Sequence, residues 1–403
     1  MSRTFVVAGG GHAGGQAVDS LRREGFDGRL VLVAEEPALP YHRPPLSKKY
    51  LAGELARERL YLRQQAFYDQ HAIELRLGTR VTAIDRERRR VRLDDGDELD
   101  YDGLMLCLGS RVRRLNVPGA ALPGVHYLRN LADVDRIRAE FAPGRRLVVI
   151  GAGYIGLEAA ASARTLGLDV TVLEMADRPM SRVVAPVVSR FYADRHTAAG
   201  VDLRCGTSVA EILGDARVTA VRCGDGTVVP ADFVIAGVGI EPETTLAAAA
   251  GLACDDGILV DEQCRTSDPA VFAAGDCTNH PSVRYGRRIR LESVDNALEQ
   301  ARTAAATMCG RDAGHAHVPW FWSDQYDIKL QIAGVSQGHD QVVVRGNPER
   351  SQFSVWYLLD GELLAVDAIN RPGEFMHAKR WIAERKRPDP VQLGDPAVEL
   401  KMI

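Results

Sequence analysis

Two stretches decide the fold: TFVVAGGGHAGG at residues 4–15 and LVVIGAGYIGLE at residues 147–158. Each opens with an apolar run suited to a buried strand and passes into glycines spaced G-x-G-x-x-G, namely Gly9, Gly11, Gly14 and Gly151, Gly153, Gly156. The patterning predicts a helix after each, ending near Gly25 and Leu166, and a second strand at residues 29–34 and 169–173. One such spacing is common. Two copies, each between a strand and a helix and each followed by an acidic residue at the next strand end (Glu35, Glu174), are not. The glycines let the backbone turn and approach a pyrophosphate at the positive end of a helix, and the carboxylates can accept hydrogen bonds from ribose hydroxyls.

Two dinucleotide sites in one chain point to two dinucleotides exchanging electrons, most simply a nicotinamide donor, NADH, and a bound flavin, FAD. Order assigns the first site to FAD. So does TSDPAVFAAGD at residues 266–276, where Asp276 follows a buried strand and can hold the flavin ribityl chain. Glu174 would repel a 2′-phosphate and so favours NADH over NADPH, while Arg178 and Arg182 close behind soften that preference.

The rest of the chain fits an enzyme of this size. With 403 residues, 46% apolar and 26% charged, it is long enough for two or three folded domains. A net charge of -4 argues against a general nucleic-acid binder. No charged leader precedes an apolar core at the start, and the longest apolar stretch, residues 147–163, carries Glu158 and several glycines; a cytoplasmic protein without a membrane span is expected. The seven cysteines are scattered with no C-x-x-C, which suits free thiols in a reducing compartment. No His, Cys or carboxylate spacing suggests a metal site.

Strand-rich runs at residues 74–77, 80–85, 90–93 and 104–107 follow the first nucleotide fold, and runs at 201–205, 218–223 and 232–236 follow the second. They read as a β-meander added to each fold. A long Ala-rich helix is expected from Val294 to Cys309, closed by Gly310. Four β-rich runs between residues 329 and 369, a helix at 374–385 and an extended tail after Pro388 make a separate C-terminal domain. The fold class is therefore α/β: two Rossmann-like dinucleotide-binding domains, in a glutathione-reductase-like architecture, plus a C-terminal α/β domain. The expected divisions are 1–110 and 237–318 for the two parts of the FAD-binding domain, 111–236 for the NADH-binding domain and 319–403 for the last.

Several segments together carry a family resemblance: GGGHAG (9–14), LPYHRPPLSKKYL (39–51), LCLGS (106–110), GAGYIGLE (151–158), AGVGIEP (236–242), AAGDC (273–277), PWFWSDQ (319–325) and AINRP (368–372). The chain resembles the FAD-dependent NADH:ferredoxin reductases of bacterial oxygenase systems, and within them the putidaredoxin reductase branch. The resemblance runs from Thr4 to about Leu400. It implies a [2Fe-2S] ferredoxin as partner and, indirectly, a cytochrome P-450 type monooxygenase; a sister branch serves Rieske dioxygenases.

By the same resemblance FAD would be held by Gly9, Gly11, Ala13, Gly14, Glu35, Lys48, Val81, Arg129, Asp276 and Val294, with His12, Arg43, Pro45 and Gly109 beside them. NADH would use Gly151, Gly153, Tyr154, Ile155, Gly156, Glu158, Glu174 and Gly239. Lys48 and Glu158 would meet beside the reacting edge of the flavin, where a cation attracts electron density and the carboxylate orients it. The helix at Val294 would aim its positive end at the flavin pyrimidine ring. Trp322, with Trp320 near it, would lie over the exposed flavin edge, and Trp322 and Arg302 would meet the partner.

Related dithiol reductases place cysteines where this chain reads Pro44-Pro45-Leu46-Ser47-Lys48, so no sulfur relay is available there and electrons are expected to leave from the flavin. Arg287, Arg288, Arg290, Arg302, Lys379, Arg380, Arg385, Lys386 and Arg387 are candidates for an acidic partner's docking patch. The run 86–92 reads as a solvated strand-turn face. An NADH oxidase-like flavoprotein and a flavin-bearing signalling protein remain open beside the reductase reading.

Overall fold

The computed structural model describes residues 3–403. The chain forms two compact units: one takes the chain as far as Arg43, then Arg57–Arg111 and Ile240–His317; the other takes Pro44–Ala56, Val112–Gly239 and Val318–Ile403.

The first unit is built on a five-stranded parallel sheet in the order Val271–Ala273, Gly103–Leu106, Thr4–Ala8, Arg29–Ala34, Ile73–Leu77. Strands such as TFVVA and RLVLVA are apolar at almost every position because a parallel sheet is covered on both faces. One face packs on the helices His12–Arg23 and Val294–Met308, whose small residues Ala17, Ala301, Ala304 and Ala305 are fully buried. The other face carries an antiparallel hairpin sheet, Val81–Asp85, Arg90–Leu93 and Glu98–Asp100, with Ile84, Val91 and Leu99 turned inward. Arg86, Arg90 and Arg92 on that hairpin are paired with Asp268, with Asp100 and Glu98, and with Glu98 respectively.

The second unit repeats the plan. Its parallel sheet runs Asp202–Arg204, Asp169–Leu173, Arg146–Ile150, Phe233–Ala236, Val125–Tyr127, and an antiparallel sheet Val209–Leu213, Ala220–Cys223, Val228–Pro230 covers part of it. The same unit contains a five-stranded antiparallel sheet, Trp320–Gln325, Ile328–Gly334, Glu362–Ile369, Gln352–Leu359, Gln341–Asn347, packed on the helix Pro372–Ala383 around Trp356 and Trp381.

Three expectations need correction. The runs at 74–77, 104–107, 201–205 and 232–236 do not belong to meanders: Ile73–Leu77, Gly103–Leu106, Asp202–Arg204 and Phe233–Ala236 extend the parallel sheets, and the meanders are completed by Glu98–Asp100, Val209–Leu213 and Val228–Pro230. Strand partners are set by tertiary pairing, which local composition does not encode. The C-terminal sheet has five strands because PWFWSDQ supplies the first. The tail after Pro388 is not extended: Pro390 starts a short helix, Pro390–Gly394, capped by Asp389, and Leu393 and Leu400 are buried in the C-terminal core. Among the described residues, no helix is long and apolar enough to cross a membrane.

Candidate functional site

In the first unit the carboxyl ends of three neighbouring parallel strands deliver the candidate FAD residues, as open α/β sheets do for their ligands. Thr4–Ala8 leads into Gly9, Gly103–Leu106 into Gly109, and Val271–Ala273 into Gly275 and Asp276. The glycines divide into two kinds. Gly9 has φ +117° and a Cβ there would lie 2.2 Å from the Cys107 carbonyl oxygen; one on Gly14 would lie 1.8 Å from the Gly9 oxygen. Gly11 meets nothing within 4 Å. It is the N-cap of the helix His12–Arg23 and supplies no side-chain cap to the N–H groups of the first turn. Gly9 and Gly14 close the turn, and Gly11 leaves the cradle that a phosphate group fits.

Asp276 Oδ2 accepts from Ser110 Oγ at 3.1 Å. The turn before it is fastened by Gln300, whose Oε1 accepts from Gly275 N and from Thr278 Oγ1, both at 2.8 Å. Gln300 stands on the helix Val294–Met308, which begins at Val294 as expected with Ser293 capping Asn296 N. Arg43 is pinned to Glu36 at 2.6 Å, and Tyr41 donates to the same carboxylate at 2.6 Å. Glu35 is 74% exposed and 4.0 Å from Arg80, Val81 is buried at the start of the hairpin, and His12 is buried in the first turn of its helix.

The second unit shows the same geometry. A Cβ on Gly151 would lie 2.4 Å from the Gly237 oxygen and one on Gly156 2.1 Å from the Gly151 oxygen, whereas Gly153 meets nothing within 4 Å and caps Tyr154–Thr165 without a side chain. Glu174 is turned onto this loop, accepting from Ala152 N at 2.6 Å and Ala176 N at 2.8 Å. Arg178 is bound to the carbonyls of Val184 and Ser181 and to Ser189, which spends its guanidinium on the loop's own backbone. Gly239, at φ +102°, receives the Arg113 N–H on its carbonyl. Arg129 precedes a capping box in which Asn130 accepts from Asp133 N and Asp133 accepts from the Arg129 and Asn130 N–H groups.

Lys48 and Glu158 meet in this unit, Nζ to Oε1 at 2.9 Å, with Glu158 only 2% exposed. Pro44 and Pro45 start the tight turn Pro44–Ser47 that presents Lys48. Ser162 Oγ donates to the Ser47 carbonyl at 2.9 Å and Tyr50 Oη to Asp135 at 2.7 Å, which fastens the segment to two helices. Two further donors reach the carboxylate: Ser47 Oγ at 2.5 Å and Ser323 Oγ at 2.6 Å. Sequence reading singled out neither serine, although alternation along PWFWSDQ puts Phe321, Ser323 and Gln325 on one face and Trp320 and Trp322 on the other. Phe321 lies 4.8 Å from the Tyr154 ring, and the Trp320 and Trp322 rings stack at 5.3 Å with Lys379 5.6 Å from Trp320.

All seven cysteines are free. Burial pushes the thiols of Cys107 and Cys264 upward, and that of Cys277 up to about 12, so these three are inert packing residues. The candidate docking patch carries less net positive charge than a count of arginines suggests: Arg290 pairs with Asp256 and Glu292, Arg302 with Glu299, Arg380 with Glu384 and Arg385 with Glu362.

Comparison with known proteins agrees with this geometry. The pyridine nucleotide-disulphide oxidoreductase profile matches residues 3–305, and a reductase C-terminal profile matches residues 320–403. The chain is 48% identical to putidaredoxin reductase CamA of Pseudomonas putida, covering 99% of this chain and 96% of that protein. It is 45% identical to rhodocoxin reductase of Rhodococcus erythropolis, with 99% and 94% covered. The reductase in the crystal structure of the covalent putidaredoxin reductase-putidaredoxin complex superposes with a TM-score of 0.97 at 47% identity, covering 99% of this chain and 97% of that one. The chain belongs to the pyridine nucleotide-disulphide oxidoreductase family, in the branch that carries the reductase C-terminal domain.

Proposed function

We propose that this protein is an FAD-dependent NADH:ferredoxin oxidoreductase that supplies electrons, through a [2Fe-2S] ferredoxin, to a cytochrome P-450 type monooxygenase. FAD when bound accepts a hydride and releases electrons singly, which is the chemistry needed between a two-electron donor and a one-electron carrier. The observation that carries the reading is the pair of half-buried Lys48 and buried Glu158, held at 2.9 Å in the unit that also contains the second glycine loop. A charge placed where electron density is delivered favours that delivery, and a carboxylate that also binds the amine keeps it from wandering.

In this reading Gly9, Gly11, Ala13, Gly14, Glu35, Arg43, Val81, Gly109, Asp276 and Val294 hold FAD, and the family resemblance adds His12, Pro45, Lys48 and Arg129 to that set. Gly151, Gly153, Tyr154, Ile155, Gly156, Glu158, Glu174 and Gly239 hold NADH. Lys48, Glu158 and Trp322 serve the reaction, and Trp322 and Arg302 meet the ferredoxin. The chain divides for these tasks at 1–110, 111–236, 237–318 and 319–403; the unit changes after Arg111, Gly239 and His317 support these breaks, while Pro44–Ala56 groups with the second unit. Free cysteines suit a cytoplasmic setting.

The test is NADH-dependent cytochrome c reduction by the purified yellow protein, with and without such a ferredoxin. Strong stimulation is expected. Rapid NADH consumption without ferredoxin, yielding peroxide or water, would replace this reading with an oxidase.

A further inference from the structure

Glu158 is the end of a hydrogen-bond train that no glycine-loop motif requires. Its carboxylate, paired with Lys48, can only accept, so Ser323 Oγ donates to it at 2.6 Å. Having used its proton, the Ser323 oxygen must accept from its next neighbour, the Gln325 amide at 3.2 Å, which therefore presents its NH2 group. The Gln325 carbonyl oxygen then faces His196 Nε2 at 2.9 Å, and that nitrogen must carry the proton. Nδ1 is left bare and accepts from the Tyr326 hydroxyl at 3.1 Å. Burial holds His196 below the ordinary histidine range, consistent with one ring proton. Ser323 and His196 are both 0% exposed and Gln325 is 1% exposed, so no bulk water competes along the middle of the train.

We propose that Ser323 and Gln325 are positioning residues for Glu158, and that the train Tyr326 to His196 to Gln325 to Ser323, every member donating toward the carboxylate, fixes where Glu158 and hence Lys48 point. The inference rests on the proposed role of that pair in hydride delivery. Donors aligned head to tail polarise one another, so the last bond to the carboxylate is stronger than an isolated serine contact. The strand Trp320–Gln325 thereby serves two ends with its two faces: the tryptophans on one and the Glu158 support on the other. His196, near the end of the helix Pro186–Ala198, anchors the far end of the train.

The experiment compares Ser323→Ala, Ser323→Thr and Tyr326→Phe holoproteins with the parent. Long-range 1H–15N spectra of the histidine rings, assigned through His196→Gln, should show His196 as the Nε2–H tautomer in the parent and also in Tyr326→Phe, where the Gln325 oxygen still faces Nε2. Stopped-flow reduction by NADH should slow about tenfold in Ser323→Ala, the size expected for one donor to a charged group, and recover in Ser323→Thr. Combining Ser323→Ala with Glu158→Gln should slow it no further than Glu158→Gln alone. An Nδ1–H tautomer in the parent, or additive rate losses in the double variant, would overturn the proposal. The tautomer is read without turnover, so its failure is distinct from a failure of ferredoxin-dependent activity, which would instead remove the reductase reading.

Discussion

Gly11 and Gly14 sit three residues apart, at the cap and in the first turn of one helix, yet the chain asks different things of them. A methyl group on Gly14 would be driven into the Gly9 oxygen at 1.8 Å, so Gly14→Ala should fail to fold or melt far below the parent. Gly11 has φ -81° and open space around its Cβ position, so Gly11→Ala should fold with little change in melting temperature while losing bound flavin. The ratio of flavin absorbance to protein absorbance, read beside a thermal melt, separates the two outcomes. Glu174 makes a second residue-level prediction. Its carboxylate lies on the second glycine loop and Arg178 is committed to backbone carbonyls, which leaves Arg182 as the nearby cation to soften a preference for NADH. We expect kcat/KM for NADH to exceed that for NADPH by at least tenfold and Glu174→Ala to narrow the gap; equal efficiencies in the parent would refute this.

At the scale of elements, caps and buried pairs set local stability. The helix Leu131–Arg138 begins with the reciprocal cap of Asn130 and Asp133, directly after Arg129. Asn130→Ala should cost about 1 kcal/mol, seen in the denaturation midpoint, and the conservative Asn130→Asp should restore most of it. In the C-terminal sheet, Asp367 on Glu362–Ile369 is 1% exposed and accepts from Tyr357, whose oxygen also receives the Ala185 N–H at 2.9 Å. Burial lifts the Asp367 carboxyl to about 7, against about 3.9 in an unfolded chain. The folded state thus holds a proton that the unfolded state gives up. The contribution is complete below about pH 4 and is lost as pH rises through 7, with an upper bound of about 4 kcal/mol. Asp367→Asn keeps an acceptor but cannot ionise, so it should raise the melting temperature at pH 8 more than at pH 5; a parallel pH dependence in both proteins would rule the assignment out.

At the scale of the molecule, the charges that face a partner matter more than their number. Four of the nine candidate basic residues are neutralised by carboxylates of the same unit, and Lys386 lies 4.3 Å from the ring centre of Trp381. If the remaining basic surface steers an acidic ferredoxin, added salt should reduce ferredoxin-dependent turnover through a higher KM for ferredoxin, while flavin reduction by NADH stays flat. A flat response of both would show that docking is not electrostatic.

Much of this was legible in the amino-acid order, because the two glycine loops are defined by clashes within a few residues and by strands and helices on either side. Gly14 against Gly9, the start of a helix at Val294 and the acidic residues after the second strands are local, and local rules reach them. Which strands joined the parallel sheets was not legible, since Ile73–Leu77 and Val81–Asp85 have similar composition and differ only in their partners. Nor was the support of Glu158: Ser47, Ser323, Gln325 and His196 come from three distant segments and carry no motif. Only tertiary packing brings Ser47 and Ser323 onto one carboxylate and lines Gln325 and His196 up behind Ser323, because hydrogen bonds among side chains depend on positions in space that the chain reaches only after its sheets are closed.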